Sequence, residues 1–340
     1  MIDLEAHFFT EEYVDYLRRR ETAPRLELIE VEGHNEERLW LNEEMFALRT
    51  HTLEPLLDFE EARLAEMDSA GISVQVLTLG GPGCEPFEPS EGVEMARKTN
   101  DVLGKVIKKH PNRFVGLAAL APQDPDKAAD ELERCVRELN FKGAKINSNV
   151  QDEYLDDPKF WCIFEKAEEL DVPIYLHPRL PSTRMIGPYA DYGYGLAGAA
   201  LGFAAETQLH AYRLIYSGLF DRYPRLRILL GHMGEGLPYW MFRMDYPWRK
   251  RSGGSTILSR KPSEYVSTNF IMTTSGMFFL PAFMCAYLAL GAENIVFATD
   301  YPFEKSKQAG EFMERLPVCE ADKEKICHIN AEKLLKLNQP

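Results

Sequence analysis

Short apolar, often β-branched runs alternate with amphipathic stretches along almost the whole chain. The runs 2–5 (IDLE), 73–79 (SVQVLTL), 114–119 (FVGLAA), 143–147 (GAKIN), 173–177 (PIYLH), 227–231 (RILLG), 269–273 (NFIMT) and 294–299 (NIVFAT) predict eight strands. Several are nearly continuous apolar runs, the pattern of parallel strands buried on both faces. Between them, 59–70 repeats apolar positions at helical spacing and stops at Gly71. Ser90 opens a helix towards Lys109, with Pro111 helping to end it, and Asp124 opens another. Asp157-Pro158 reads as an N-cap followed by proline at the first helical position. Helices near 199–216, 235–246, 279–290 and 305–315 follow, and a helix over about 321–337 closes the chain.

Alternation of this length predicts an α/β fold, either a barrel or an open doubly wound sheet. Eight strands, and no G-x-G-x-x-G after the first, favour a (β/α)8 TIM barrel forming a single domain over 1–340. Segment 21–55 is highly charged and poorly periodic, and reads as an insertion after the first strand. The stretch 178–198, rich in Pro, Gly and Tyr, reads as a loop covering substrate.

Composition narrows the partners. A formal net charge of −14 argues against nucleic acid and anionic lipid, although a metal or an arginine can reverse the sign inside a pocket. The six cysteines form no C-x-x-C pair. No basic region followed by an apolar run opens the sequence, and no stretch approaches the roughly 18–20 apolar residues that span a bilayer. The expectation is a reduced, cytoplasmic protein with neither nucleic acid nor membrane as partner.

Catalytic groups of a barrel come from the C-terminal ends of its strands. There the sequence places Glu5 and His7, Asn147, His177, His232, Thr273 with Thr274, and Asp300. Glu5 and His7 stand two apart on an extended segment, so both point to one face and can grip one metal. His177 ends an apolar strand and is held extended by Pro178. His232 leaves its strand among glycines, with Glu235 three residues on to set the imidazole's tautomer and pKa for acid–base work. Asp300 can bind a metal and exchange a proton with the reacting atom. Each has an ordinary structural alternative, from a packed core histidine to an N-cap aspartate; their coincidence at one end of one barrel favours a site. His34 and His51 fall in the insertion, and His210 lies mid-helix near Glu206, where a structural role is expected.

The stretches EAHF (5–8), RLAEMDSAGI (63–72), VPIYLHPR (172–179), GHMGEGLPYW (231–240), MTTSG (272–276) and ATDYPFE (298–304) resemble the decarboxylase branch of the amidohydrolase superfamily. The relatives are the γ-resorcylate, 2,3-dihydroxybenzoate and 5-carboxyvanillate decarboxylases, and the resemblance covers nearly the whole chain except 21–55. It implies the metal ligands Glu5, His7, His177 and Asp300, and His232 with Glu235 as a catalytic dyad. It also implies substrate contacts from Arg243, reaching across a subunit interface, from Arg63 and from Phe303; strand-end Asn147 is a further candidate contact. The implied activity is metal-dependent, non-oxidative decarboxylation of a hydroxylated aromatic acid, with Asp300 protonating the ring before CO2 leaves. Nitrogen and carboxylate donors suit one divalent ion, Zn²⁺ or Mn²⁺ before Mg²⁺, and no organic cofactor is needed. A homodimer or homotetramer is expected by the same resemblance. The competing reading is a hydrolase or hydratase of a lactone, amide or unsaturated acid on the same barrel.

Overall fold

The computed structural model describes residues 1–31, 33–246, 248 and 258–337; the side chains of 48–51, His51 among them, lie outside the described residues. Strand β1 (Ile2–Phe8) leads to a helix (Glu11–Arg19), then to β2 (Arg25–Val31), β3 (His34–Trp40) and β4 (Phe46–Arg49). The later strands are β5 (Val74–Leu79), β6 (Phe114–Gly116), β7 (Ala118–Ala119), β8 (Ala144–Asn147), β9 (Ile174–His177), β10 (Ile228–Leu230), β11 (Phe270–Thr273) and β12 (Ile295–Val296).

All of these strands except β2, β3 and β4 build a (β/α)8 barrel. β1, β5 and β6 pair in parallel, and so do β7 through β12 in chain order. The single strand expected over 114–119 is split at Leu117. There the N–H of Leu117 goes to Leu77 O at 3.1 Å while that of Ala118 goes to Gly143 O at 2.8 Å. One residue thus hands the run from its earlier neighbour to its later one. The ring closes where Leu4 N meets Phe297 O at 3.0 Å, Asp300 N meets Glu5 O at 3.0 Å and His7 N meets Tyr301 O at 2.7 Å. Closure therefore sets the ends of the first and last strands, which carry Glu5, His7 and Asp300, side by side.

Alternation along the strands divides the apolar residues between two cores. Leu4, Val76, Leu117, Tyr175, Leu229 and Val296 fill the barrel interior, while Phe114, Phe164, Leu214 and Phe270 pack between strands and helices. Each such side chain contributes about 1.5–3 kcal/mol when fully buried. Local signals place the helices: the Asp124 carboxylate accepts from Lys127 N at 3.3 Å, and Asp157 from Lys159 N at 3.0 Å. No helix among the described residues is long and apolar enough to cross a membrane.

The insertion is not irregular. β2, β3 and β4 form an antiparallel meander. Charges dominate its sequence because one face is open to solvent, with Arg25–Glu43 and Arg18–Glu37 pairs along it. Of its apolar residues, Leu26 and Leu39 are buried in the outer core and anchor it, whereas Leu28 is exposed.

Candidate metal centre and active site

Glu5 and His7, two residues apart on β1, both point inward and are fully buried. His177 at the end of β9 and Asp300 beyond β12 face them. His7 Nε2 lies 3.1 Å from Asp300 Oδ1 and 3.6 Å from Glu5 Oε1. His177 Nε2 lies 3.2 Å from Glu5 Oε1.

The donor chemistry of this cluster calls for a cation. His177 Nδ1 faces two acceptors, Asn147 Oδ1 and the Pro178 carbonyl, both at 2.9 Å, so it carries the ring proton and Nε2 presents a lone pair. Burial, reinforced by the charge of Lys145, pulls the His177 pKa down to about 3, so a second proton is excluded near neutrality. The lone pair is thus directed at a carboxylate oxygen, Glu5 Oε1, that is buried without a hydrogen-bond donor. Two facing acceptors repel unless a positive ion lies between them. Glu5's other oxygen accepts from the Tyr175 hydroxyl, and Thr78 Oγ1 holds His7 Nδ1 at 3.0 Å. Both neighbours fix the orientation of the groups that would bind the ion.

Beside this cluster stands the His232–Glu235 pair, with Nδ1 2.6 Å from Glu235 Oε1. His232 Nε2 lies 3.6 Å from Asp300 Oδ2. Burial lowers the His232 pKa, but Glu235 and Asp300 outweigh it and hold it well above the ordinary value. Burial also raises Glu235, against the pull of His232. The geometry is built from unusual backbone. Residues 232–236 all have positive φ, from 52° at Glu235 to 79° at Gly236, and His232, Met233 and Glu235 do so without being glycine. Such conformations cost on the order of 1–3 kcal/mol each and persist where surrounding structure enforces them, often at functional sites. At Gly231, just before the run, a Cβ would lie 2.9 Å from the Tyr175 hydroxyl and 3.5 Å from Glu5 Oε2; glycine is what lets the strand approach the cluster.

His177, His232 and Asp300 open into a cavity of about 210 Å³. Its walls are apolar on most sides: Tyr194 comes from the covering segment, Phe203 from the helix Gly202–Tyr216 that follows it, Phe303 from beyond Asp300, and Leu41 and Ala47 from the meander. The loop expected over 178–198 does cover the cavity, as a series of short helical turns from Gly187 to Ala200.

The structure thus brings Glu5, His7, His177, His232, Glu235 and Asp300 together, with Phe303 at the cavity. It places three other sequence candidates elsewhere. Asn147 holds His177 and donates to Glu85 at 3.0 Å from within the protein. Arg63 is wholly buried; it donates to Asp58 O, His7 O and Pro55 O at 2.6, 2.8 and 2.9 Å and lies over the Tyr301 ring. Arg243 is exposed on the helix Leu237–Met244, over the Tyr246 ring. Substituting Arg63 with Met is expected to lower stability by about 3 kcal/mol, since buried carbonyls lose charged donors. Urea unfolding reads this, with KM of the surviving enzyme changed less than about 3-fold. The sequence reading missed Tyr175 and Thr78, although Tyr175 precedes His177 by the two residues that put both on one face. It also missed Leu41 and Ala47, which no local pattern connects to the barrel.

An amidohydrolase family model matches residues 2–337. Over 293 residues the chain is 43% identical to a γ-resorcylate decarboxylase of Polaromonas sp. (strain JS666), covering 84% of this chain and 89% of that protein. A dihydroxybenzoic acid decarboxylase structure from Polaromonas sp. JS666, with bound manganese and the inhibitor 2-nitroresorcinol, superimposes with a TM-score of 0.86 at 38% identity, covering 100% of this chain and 97% of that one. The 5-carboxyvanillate decarboxylase of Sphingomonas paucimobilis gives a TM-score of 0.88 at 36% identity, covering 99% and 98%. The chain belongs to the amidohydrolase family, in the branch of the aromatic-acid decarboxylases.

Proposed function

We propose that this protein catalyses the metal-dependent, non-oxidative decarboxylation of an ortho-hydroxylated aromatic acid. One observation carries the reading: a buried cluster of facing acceptors, Glu5 Oε1 and His177 Nε2, opens with Asp300 and His232 into an apolar cavity. Glu5, His7, His177 and Asp300 would hold one divalent ion. Manganese, as in the Polaromonas structure, suits these donors, and zinc is the alternative. When bound, the ion supplies Lewis-acid stabilisation to the substrate's phenolic and carboxylate oxygens.

The chain's own residues perform the proton transfers. Asp300, taking the phenolic proton with His232 alongside, delivers it to the ring carbon bearing the carboxylate. The carbon–carbon bond then breaks, CO2 leaves, and its electron pair restores the aromatic ring. His232, held protonated by Glu235, steadies the oxygen that gave up its proton. Leu41, Phe203 and Phe303 exclude water from the ring. The test is CO2 release by manganese-loaded protein from a panel of ortho-hydroxylated benzoates. Hydrolysis or hydration of a lactone, amide or unsaturated acid, with no CO2 from any benzoate, would support the competing chemistry instead.

We further infer a homodimer or homotetramer and a reducing, cytoplasmic compartment for its six free thiols. Tyr239 and Trp240 on Leu237–Met244, and Phe279 and Leu288 at the neighbouring helix Leu280–Leu290, are 43–76% exposed. Apolar surface of this kind supports association, which would carry Arg243 of that face towards a neighbouring copy's cavity. Light scattering is expected to give a multiple of 38.9 kDa that Trp240→Glu reduces; a monomer would refute it.

A further inference from the structure

The anionic substrate of the reaction just proposed needs a cation besides the metal, because Glu5 and Asp300 together neutralise a divalent ion and Glu304 adds another acid to the cavity wall. Neither arginine expected from the sequence provides it within this chain. Arg63 spends its donors on backbone carbonyls behind β1, and Arg243 stands on the outer surface.

Among the described residues, Arg179 is the one lysine or arginine that lines the cavity. It follows the metal-cluster residue His177 by two positions, about 7 Å along an extended chain. Its Nη1 donates to Asn149 O at 3.1 Å, and among the described residues no carboxylate lies within 4.0 Å of it and no other group accepts from it. That bond ties one guanidinium nitrogen and leaves the N–H groups of Nε and Nη2 without an acceptor among the described residues, while the charges of Glu85, Asp152 and Glu206 act on it from beyond 4.0 Å. A planar, always charged fork of this kind matches a carboxylate.

We propose that Arg179 is a specificity-determining residue that receives the substrate's carboxylate. The assignment rests on the decarboxylase reading and deepens it. When the carboxylate leaves as CO2, the contact goes with it, and the phenolic product is left in a cavity whose cation has nothing to hold. Arg179 therefore selects acid over phenol at entry and favours release of the phenol after turnover.

The experiment compares manganese-loaded wild type with Arg179→Met and Arg179→Lys. Calorimetry measures the affinity of 2,6-dihydroxybenzoate and of its decarboxylation product, resorcinol, and steady-state kinetics measures KM and kcat. In Arg179→Met, acid affinity is expected to fall about 10- to 100-fold and KM to rise in parallel, with resorcinol affinity changed less than about 3-fold. Arg179→Lys should recover part of the acid affinity. Equal loss for acid and phenol would show that Arg179 merely props the cavity wall, and no loss for either would remove it from substrate binding; both overturn the proposal. Should wild type bind the acid in preference to resorcinol yet release no CO2, the decarboxylase reading fails while the carboxylate contact is still tested by the binding arm.

Discussion

Replacing Asp300 with Asn is expected to lower kcat at least about 10³-fold while the protein stays folded. Positioned general acids and bases contribute roughly 10²–10⁴-fold, and this carboxylate has two tasks. One oxygen lies 3.1 Å from His7 Nε2 on the metal side, the other 3.6 Å from His232 Nε2 on the cavity side. An amide keeps the shape but cannot take up and return the proton. The side chain also sits on a residue with φ of 72°, which Asn tolerates as well as Asp, so the backbone is undisturbed. CO2 release from 2,6-dihydroxybenzoate, read alongside metal content, checks this. Turnover within 10-fold of wild type in a metal-loaded variant would exclude Asp300 as the proton donor.

Glu5→Gln is expected to weaken metal binding at least about 10³-fold, since removing a partner outside the ligand set alone costs roughly 10–100-fold. The substitution removes the charge from a buried carboxylate oxygen that lacks a donor and faces His177 Nε2. Competition against a chromophoric chelator measures the affinity, and thermal unfolding gives a second readout. A ligand at about 1,000 times its Kd stabilises the native state by about 4.1 kcal/mol; wild type should lose that increment on chelation, whereas Glu5→Gln should show little change. Unaltered affinity would mean the ion is held without Glu5.

The parts of this site that were legible in the sequence follow strand periodicity. Glu5 with His7, and His177 after its apolar run, were visible because strand ends in a barrel share one face and one end. His232 and Glu235 were visible because glycines flank them. What stayed hidden depends on contacts between distant segments. Arg63 is charged and lies on a helix, yet β1 and the segment before that helix present three carbonyls to it, which nothing nearby in sequence announces. The meander was hidden because only its anchoring residues are buried, so alternation gave way to charge. Arg179 was overlooked beside its neighbour His177; its free donors become apparent only once Asn149 and the cavity are placed around it.

The meander bonds to itself strand by strand and reaches the barrel through a handful of apolar side chains, yet it supplies Leu41 and Ala47 to the cavity. Part of the cavity's shape therefore resides in a stretch of chain that can be mutated separately from the chemistry. Drift in the tract around Leu41–Ala47 can reshape the roof over a bound ring while the proton-transfer apparatus below is inherited unchanged, and the same tract is a natural graft point for exchanging substrate preference between barrels.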